Sequence, residues 1–461
     1  MRTAVVLFNR DLRVHDHPAL HRALREADQV VPLFVLDVDI EGRASTGPNR
    51  MAFLHDCLED LRASLRLRGG DLVVRRGHAV AETMRIVHDV GARAVHVSAD
   101  VSGFARGREA DLGEACASAR VEFDTAPGVT VVPSDEVRTG SGGEYQVFTP
   151  FWRAWRAHPW RAPVPAPTTV AIPPDLAVGE IPARAELVTA ALSPHLARGG
   201  ETAARALVDR WERDGLRGYV DAHDDLSGDA TSRLSPSLHF GCISPLEIAT
   251  RWRDLPGGDA YVRQLAWRDF HHQTTLAFPA IGLEELRPRR DRWRVDPALF
   301  DAWKHGETGY PIVDAGMRQL LAEGWMHNRA RMITASFITK TLYLDWRLGA
   351  AHFLRWLVDG DIANNSANWQ WVAGTGTDTR PNRILNPLRQ AERFDPHGRY
   401  VRRYLPELAA VDDADVQHPW TMPALWRAEV AYPERIVDHE DAARGFRAVR
   451  DARAGAGMPA R

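Results

Sequence analysis

The chain has 461 residues, 44% of them hydrophobic and 26% charged, with a formal net charge of −3. That length and apolar fraction allow two or three domains with a large core and exclude a disordered chain. No apolar run of about eighteen residues occurs, so no membrane helix is expected, and the near-neutral charge leaves any nucleic-acid binding to local basic patches.

The opening MRTAVVLFNRDLR is too short and too soon charged for a secretory leader, so a cytoplasmic protein is expected. AVVLF (4–8) is a continuous apolar run, the pattern of a strand buried on both faces. VVPLFVLD (30–37), DLVVRRG (71–77) and AVHVSA (94–99) repeat it. Helical patterns alternate with them at 17–27 and 49–70, the latter closing on Gly69 and Gly70. This alternation predicts an α/β domain over residues 1–130, with a Rossmann-like parallel sheet and helices on both faces. No GxGxxG follows the first strand, so the usual dinucleotide fingerprint is missing.

Residues 131–200 are assigned to an interdomain connector, whose proline-rich part (161–185) should run over the surface. From about residue 200 the patterns are helical, which predicts an all-α domain over 201–461. GYPIVDAGMRQLLAEG (309–324) is one such helix, with Pro311 near its start and Gly324 at its end. None of the fifteen tryptophans precedes Trp152, and twelve lie from Trp211 onward, so the domains differ in composition. Cys57, Cys116 and Cys242 are far apart in sequence, which excludes a CxxC site and leaves them as small buried hydrophobes.

Five stretches carry polar residues in patterns that invite chemistry. DGDIANNSANWQW (359–371) begins like a calcium loop but has Asn364 at the glycine position and Gln370 at the bidentate-acid position, so no metal site is expected. In TSRLSPSLHFGCISPLEI (231–248), Thr231, Ser232 and Ser235 precede a helical pattern; they either cap it or offer hydroxyls and free N–H groups to a phosphate. In YVRQLAWRDFHH (261–272), Tyr261, Gln264 and Arg268 share one helical face beside Trp267. In WMHNRARM (325–332), Asn328 and Met332 share a face. RPRRDRWRV (287–295) sets five arginines around Trp293, as a solvated loop or a basic patch.

In order and spacing the first four of these stretches resemble the photolyase/cryptochrome family of flavoproteins, closest to the class I cyclobutane pyrimidine dimer enzymes. The resemblance covers nearly the whole chain. It runs from VVLFNRDLRVHDHPAL (5–20) through VFTPFWRAW (147–155) and KHGETGYPIVDAGMRQLLAEGWMHNRARM (304–332) to FDPHGRYVRRYLPEL (394–408).

The resemblance implies an FAD held by the helical domain. Tyr219, Thr231, Ser232, Arg233, Leu234 and Ser235 would meet its phosphates and ribose. Tyr261 stands where many relatives have tryptophan. Asp359, Gly360 and Asp361 would face the flavin and its ribitol, Arg268 would pair with an acid there, and Asn365 would sit near the ring. Trp369, Trp346 and Trp293 would form an electron-transfer chain to the surface. Trp371 would point the opposite way from Trp369 on extended backbone, forming with Trp267 the walls for a flipped dimer. Arg329, Arg383 and His223 would lie near DNA, His223 replacing a more usual arginine.

Asn328 and Met332 imply cyclobutane repair, since enzymes for (6-4) lesions carry histidine at both positions. Gln264 stands where cyclobutane enzymes usually have glutamate; an amide still donates a hydrogen bond but gives up no proton. The implied activity is light-driven splitting of cyclobutane dimers in UV-damaged DNA by excited reduced FAD. The alternatives are a blue-light photoreceptor or (6-4) repair. An antenna chromophore is implied in the first domain, where STGPNRMAFLHDCLEDL (45–61) resembles binders of 8-hydroxydeazaflavin more than of methenyltetrahydrofolate. A monomer is expected.

Overall fold

The computed structural model describes residues 1–41 and 46–455. Ser45, which opens the antenna stretch, lies outside the described residues. Strands β1 (Thr3–Phe8), β2 (Gln29–Asp37), β3 (Val73–Gly77), β4 (Ala94–Ser98) and β5 (Glu122–Ala126) form one parallel sheet in the order β3-β2-β1-β4-β5. Alternate residues of the central strands feed two cores. Ala4, Val6 and Phe8 pack with α1 (Pro18–Glu26) and α2 (Pro48–Arg66), while Val5 and Leu7 pack with α3 (Ala79–Val90) and α4 (Gly103–Ala119). The apolar runs thus mark strands covered on both sides. β5 has no such run because it is an edge strand with only Ala126 buried.

Strand order reverses between β1 and β4, which opens a crevice at their carboxyl ends. The loop after β1 is driven into the helical part of the chain. Leu12 N–H donates to the Phe240 carbonyl (3.2 Å), and buried Arg13 donates to the Gly241 carbonyl (2.9 Å). Gly241 has φ +68, and an added Cβ would meet the Arg10 carbonyl at 2.0 Å, so only glycine allows this approach. One buried cluster therefore runs from Phe8 and Leu58 to Phe240, Trp252 and Phe270.

Three local expectations need correction. The helix expected at 49–70 ends at Arg66, short of Gly69, which makes the following turn at φ +83. The proline-rich connector is not merely draped over the surface. Val170 is buried, the Ala171 carbonyl accepts from Val30 N–H (2.8 Å), and the Val178 carbonyl accepts from Val74 N–H (2.7 Å). And the stretch 359–371 is not extended: it becomes the helix Ile362–Ala373. The cysteines are all buried, yet Cys57 Sγ and Cys242 Sγ come within 3.3 Å across 185 residues.

Candidate functional site

Helices Gly258–Ala277, Asn328–Ser336 and Ile362–Ala373 converge with the short turn at 219–222 and the segment 231–239 around a cavity of about 480 Å³. That is a typical ligand volume.

The helix Gly258–Ala277 presents Tyr261, Gln264, Trp267 and Arg268 to the cavity, as its i, i+3 and i+7 spacing requires. Tyr261 is buried, and its hydroxyl lies 2.7 Å from Ser232 Oγ. Burial pushes the phenol up to about 12, against the Ser232 hydrogen bond. Gln264 is exposed at the mouth. Trp267 is half-buried, one face stacked on Phe148 with centroids 3.6 Å apart.

The segment before the short helix Ser235–His239 brings Tyr219, Thr231, Ser232, Arg233, Leu234 and Ser235 to one wall. Arg233 takes φ +52, a left-handed conformation that costs about 1–2 kcal/mol in a non-glycine residue. Ion pairs to Asp229 (2.8 Å) and Glu323 (2.6 Å) and a cation–π contact with Trp325 (4.4 Å) hold it there. Ser235 Oγ accepts from Trp325 Nε1 (3.1 Å).

The opposite wall is acidic. Asp361 is the N-cap of the helix Ile362–Ala373, its Oδ1 accepting from Asn364 N–H (2.7 Å). Burial raises its carboxyl, but Arg10, His272, His239 and Arg268 hold it far below the usual carboxylate range. Asp359 pairs with Arg331 at 2.8 Å. Gly360 and Asn365 complete this wall; Asn365 Nδ2 donates to the Ala350 carbonyl (3.1 Å).

Arg268 differs from expectation. Its guanidinium donates to the carbonyls of Val129 (2.5 Å) and Leu238 (3.4 Å), and its nearest acid is Asp269 at 3.9 Å. The partners of the cavity acids are Arg331 for Asp359 and Arg10 for Asp361 (3.5 Å). Arg10 comes from the loop after β1 and also pairs with Asp100 after β4 (3.3 Å). Sequence reasoning missed both arginines, together with His239, His271, Asn364 and Asn368 of the lining. Arg331 sits inside WMHNRARM and Arg10 inside VVLFNRDLRVHDHPAL, so a test of every basic residue in those stretches would have reached both; which acid each one meets is not local information.

Asn328, Met332, Trp369 and Trp371 line the same cavity. On the helix, positions two apart differ by about 200°, so Trp369 and Trp371 face opposite ways without extended backbone. Trp369 is 2% exposed and meets Phe353 edge-on at 4.9 Å. Gly349 lets it nestle against the helix Trp346–Trp356, where an added Cβ would meet its ring at 2.2 Å. Trp346, one turn before Gly349, is fully buried. Trp293 is half-buried beside Tyr343 (5.1 Å), on a segment bridged to Leu344. The three indoles thus run from cavity wall to core to partial exposure.

Arg383 lies over Trp371 at 4.9 Å. Arg329 is paired with Asp224 (2.5 Å) and rests on Phe394 (4.4 Å); neither arginine lines the cavity. His223 does line it, with Nδ1 3.0 Å from the Tyr219 carbonyl. Among the described residues, no three metal-ligating side chains cluster, and no helix is long and apolar enough to cross a membrane.

Comparison with known proteins agrees with this arrangement. The family model "DNA photolyase" matches residues 4–168, and "FAD binding domain of DNA photolyase" matches residues 261–451. A deoxyribodipyrimidine photo-lyase of Streptomyces griseus is 52% identical, over 98% of this chain and 99% of that one. A cryptochrome DASH of Natronomonas pharaonis is 37% identical, over 95% and 98%. The crystal structure of a bacterial class III photolyase from Agrobacterium tumefaciens superposes with a TM-score of 0.92 at 34% identity, covering 99% of this chain and 98% of that one.

The cavity's donor set fits an FAD. Hydroxyls and a guanidinium suit its diphosphate and ribose, apolar Leu265, Phe353 and Val372 suit a flat ring, and two cavity residues carry buried oxygens, Thr231 Oγ1 and Asp359 Oδ1, with no partner among the described residues. Two domain models, a relative identical at half of all positions and a shared fold over the full length agree: this chain belongs to the photolyase/cryptochrome family, with its FAD-binding domain.

Proposed function

We propose that the protein is a deoxyribodipyrimidine photo-lyase that repairs cyclobutane pyrimidine dimers in UV-damaged DNA. The observation that carries this reading is a shared cavity. The residues suited to FAD and the dimer-pocket candidates Gln264, Trp267, Asn328, Met332 and Trp371 open onto one space. An electron then need cross no protein layer between cofactor and lesion.

Bound reduced FAD supplies, on absorbing blue or near-UV light, an electron that splits the cyclobutane ring and then returns. The chain's own residues do the rest. Thr231, Ser232, Arg233 and Ser235 hold the diphosphate and ribose, with Tyr219, Leu234 and Tyr261 packed beside them. Asp359, Gly360, Asp361, Asn365 and Arg268 orient the ring side. Trp267 and Trp371 receive the extruded dimer between aromatic faces, which offsets the few kcal/mol that extrusion costs. The Gln264 amide donates to a dimer carbonyl as charge develops there. Arg383 and Arg329 meet the DNA backbone, though Asp224 neutralises part of the Arg329 charge. Trp369, Trp346 and Trp293 carry electrons inward from the surface.

Asn328 and Met332 carry no proton to transfer, which sets (6-4) repair below this reading. A photoreceptor role has less support, because dimer-pocket residues are retained. The division at 1–130, 131–200 and 201–461, a monomeric state, a cytoplasmic location and an 8-hydroxydeazaflavin antenna in the α/β domain belong to the same proposal. Mass spectrometry of chromophores released from the native protein checks the last of these.

The deciding experiment illuminates purified, photoreduced protein with two oligonucleotides, one carrying a cyclobutane dimer and one a (6-4) lesion, with dark controls. Restored thymines from the first alone are expected. No repair of either, with flavin photoreduction intact, would sink the enzyme reading in favour of the photoreceptor.

A further inference from the structure

Lys340 lies outside the cavity and outside every role described above. Its side chain is only 2% exposed. It stands on the π-helical turn Phe337–Thr341, which continues the helix Asn328–Ser336. Such turns are rare and recur at functional sites. Its Nζ donates to the carbonyls of Pro381 (3.0 Å) and Arg383 (2.6 Å).

Both carbonyls belong to the irregular loop that leaves the helix Ile362–Ala373. That loop starts at Gly374, with φ +82, where an added Cβ would meet the Pro381 carbonyl at 2.3 Å. It is tied once more to the same helical rod, where Ser336 Oγ accepts from Leu385 N–H (3.1 Å). Arg383, whose carbonyl Lys340 grips, places its guanidinium over Trp371. A continuous chain of contacts therefore joins a buried ammonium to an indole of the cavity mouth.

A buried ammonium is costly, and an apolar chain of that length would fill the same space without the cost. Burial pushes the Lys340 amine down to about 7; Asp378 opposes this, while Arg450 and Arg383 add to it. Such a group is better explained by what it holds than by stability.

We propose that Lys340 is a positioning residue for lesion recognition: it fixes the backbone at 381 and 383 so that Arg383 stacks on Trp371 and the pair presents one face to a flipped pyrimidine dimer. This rests on the dimer-repair reading above.

The test measures dissociation constants of the flavin-loaded protein for an oligonucleotide with one cyclobutane dimer and for its undamaged twin. Wild type, Lys340→Met, Arg383→Ala and the double variant are compared, with flavin absorbance per mole of protein as a separate readout. Lys340→Met is expected to weaken dimer binding about tenfold and undamaged binding by less than about threefold, with flavin content retained. The double variant should bind no more weakly than Arg383→Ala, because residues in one contact chain do not add. Unchanged dimer affinity in Lys340→Met, or additive losses, overturns the proposal.

Should Lys340→Met lose its flavin, Lys340→Gln, whose amide stays polar in the buried space but is one bond shorter and uncharged and so cannot hold both carbonyls, enters the same cycle with the same criteria. A pH series on wild type and Arg383→Ala supplies a further arm. Deprotonation removes the charge assistance from both hydrogen bonds, so dimer affinity should fall from about pH 6 to about pH 8.5, and this slope should vanish in Arg383→Ala. The groups facing Lys340 are Asp378 and Arg383 from the loop and Arg450 from the last helix, with His439 against neighbouring Thr341. A slope that persists unchanged in Arg383→Ala overturns the proposal. Wild type that binds dimer and undamaged DNA alike sinks the dimer reading itself, and this proposal with it.

Discussion

At the scale of single residues, Gln264 is the departure from the cyclobutane enzymes that bears on the chemistry, where Tyr261 and His223 bear on binding. It is exposed at the cavity mouth, on the same helical face as Tyr261 and Arg268. A difference of about 1 kcal/mol between amide and acid donors amounts to a few-fold to tenfold in rate. Gln264→Glu is therefore expected to raise repaired dimers per absorbed photon by that factor; equal yields would show the amide fully competent. Arg331 makes a second case. Arg331→Met leaves the buried Asp359 carboxylate without its ion-pair partner, an expected cost of about 2 kcal/mol, between the limits for exposed and fully buried pairs. A lower melting temperature of the flavin-free protein would show it. The motif holding Arg331 is legible in sequence, but its partner lies 28 residues away in a different element.

At the scale of elements, residues 359–371 show why local reading misjudged the backbone. Aspartate and asparagine are poor helix formers, and three asparagines in one run argue against a helix until its cap is seen. Asp361 supplies that cap and places Asn365, Trp369 and Trp371 on chosen faces. Asp361→Asn keeps a capping oxygen but loses the charge opposite Arg10, whereas Asp361→Ala loses both. The alanine variant is expected to be less stable than the asparagine one by about 1 kcal/mol in denaturant unfolding. Similar stabilities would mean that the ion pair, and not the cap, holds this helix end.

Over the whole molecule, the Arg10 bridge between Asp100 and Asp361 joins the switch point of the sheet to the cavity acids. Arg10→Met strands the buried Asp361 carboxylate and the part-buried Asp100, so flavin should be released at a lower temperature than in wild type, read by the rise of free-flavin fluorescence. Buried histidines set the response to acid. Burial pushes His327 down to about 4, with Asp224 opposing, while its Nδ1 caps the helix Asn328–Ser336 through Arg329 N–H. Its folded value lies below its unfolded one, near 6.5, so the unfolded chain binds the extra proton first. Stability is thus intact above about pH 6.5 and lost as pH falls toward 4. His327→Asn keeps a capping acceptor and removes the titration. It should lose about 2 kcal/mol less than wild type on going from pH 7 to about pH 5. Asp269 and Asp314, each raised to about 6 by burial, act oppositely in both proteins and cancel from the comparison.

The sequence by itself determined what periodicity and local chemistry encode. Continuous apolar runs announced β1, β2 and β4, Pro311 and Gly324 bracketed their helix, and four polar stretches in fixed order identified the family. It did not announce β5, an edge strand with almost nothing to bury, or the pinning of the connector to β2 and β3, which backbone hydrogen bonds make regardless of side chain. Only the tertiary structure decided which cation answers which acid. Arg268 shares a motif with cavity residues yet donates to carbonyls, while Arg10, 351 residues from Asp361, closes on it. Cys57 and Cys242 meet for the same reason. Side-chain pairing in a core is set by how elements pack, and sequence separation carries no information about that distance.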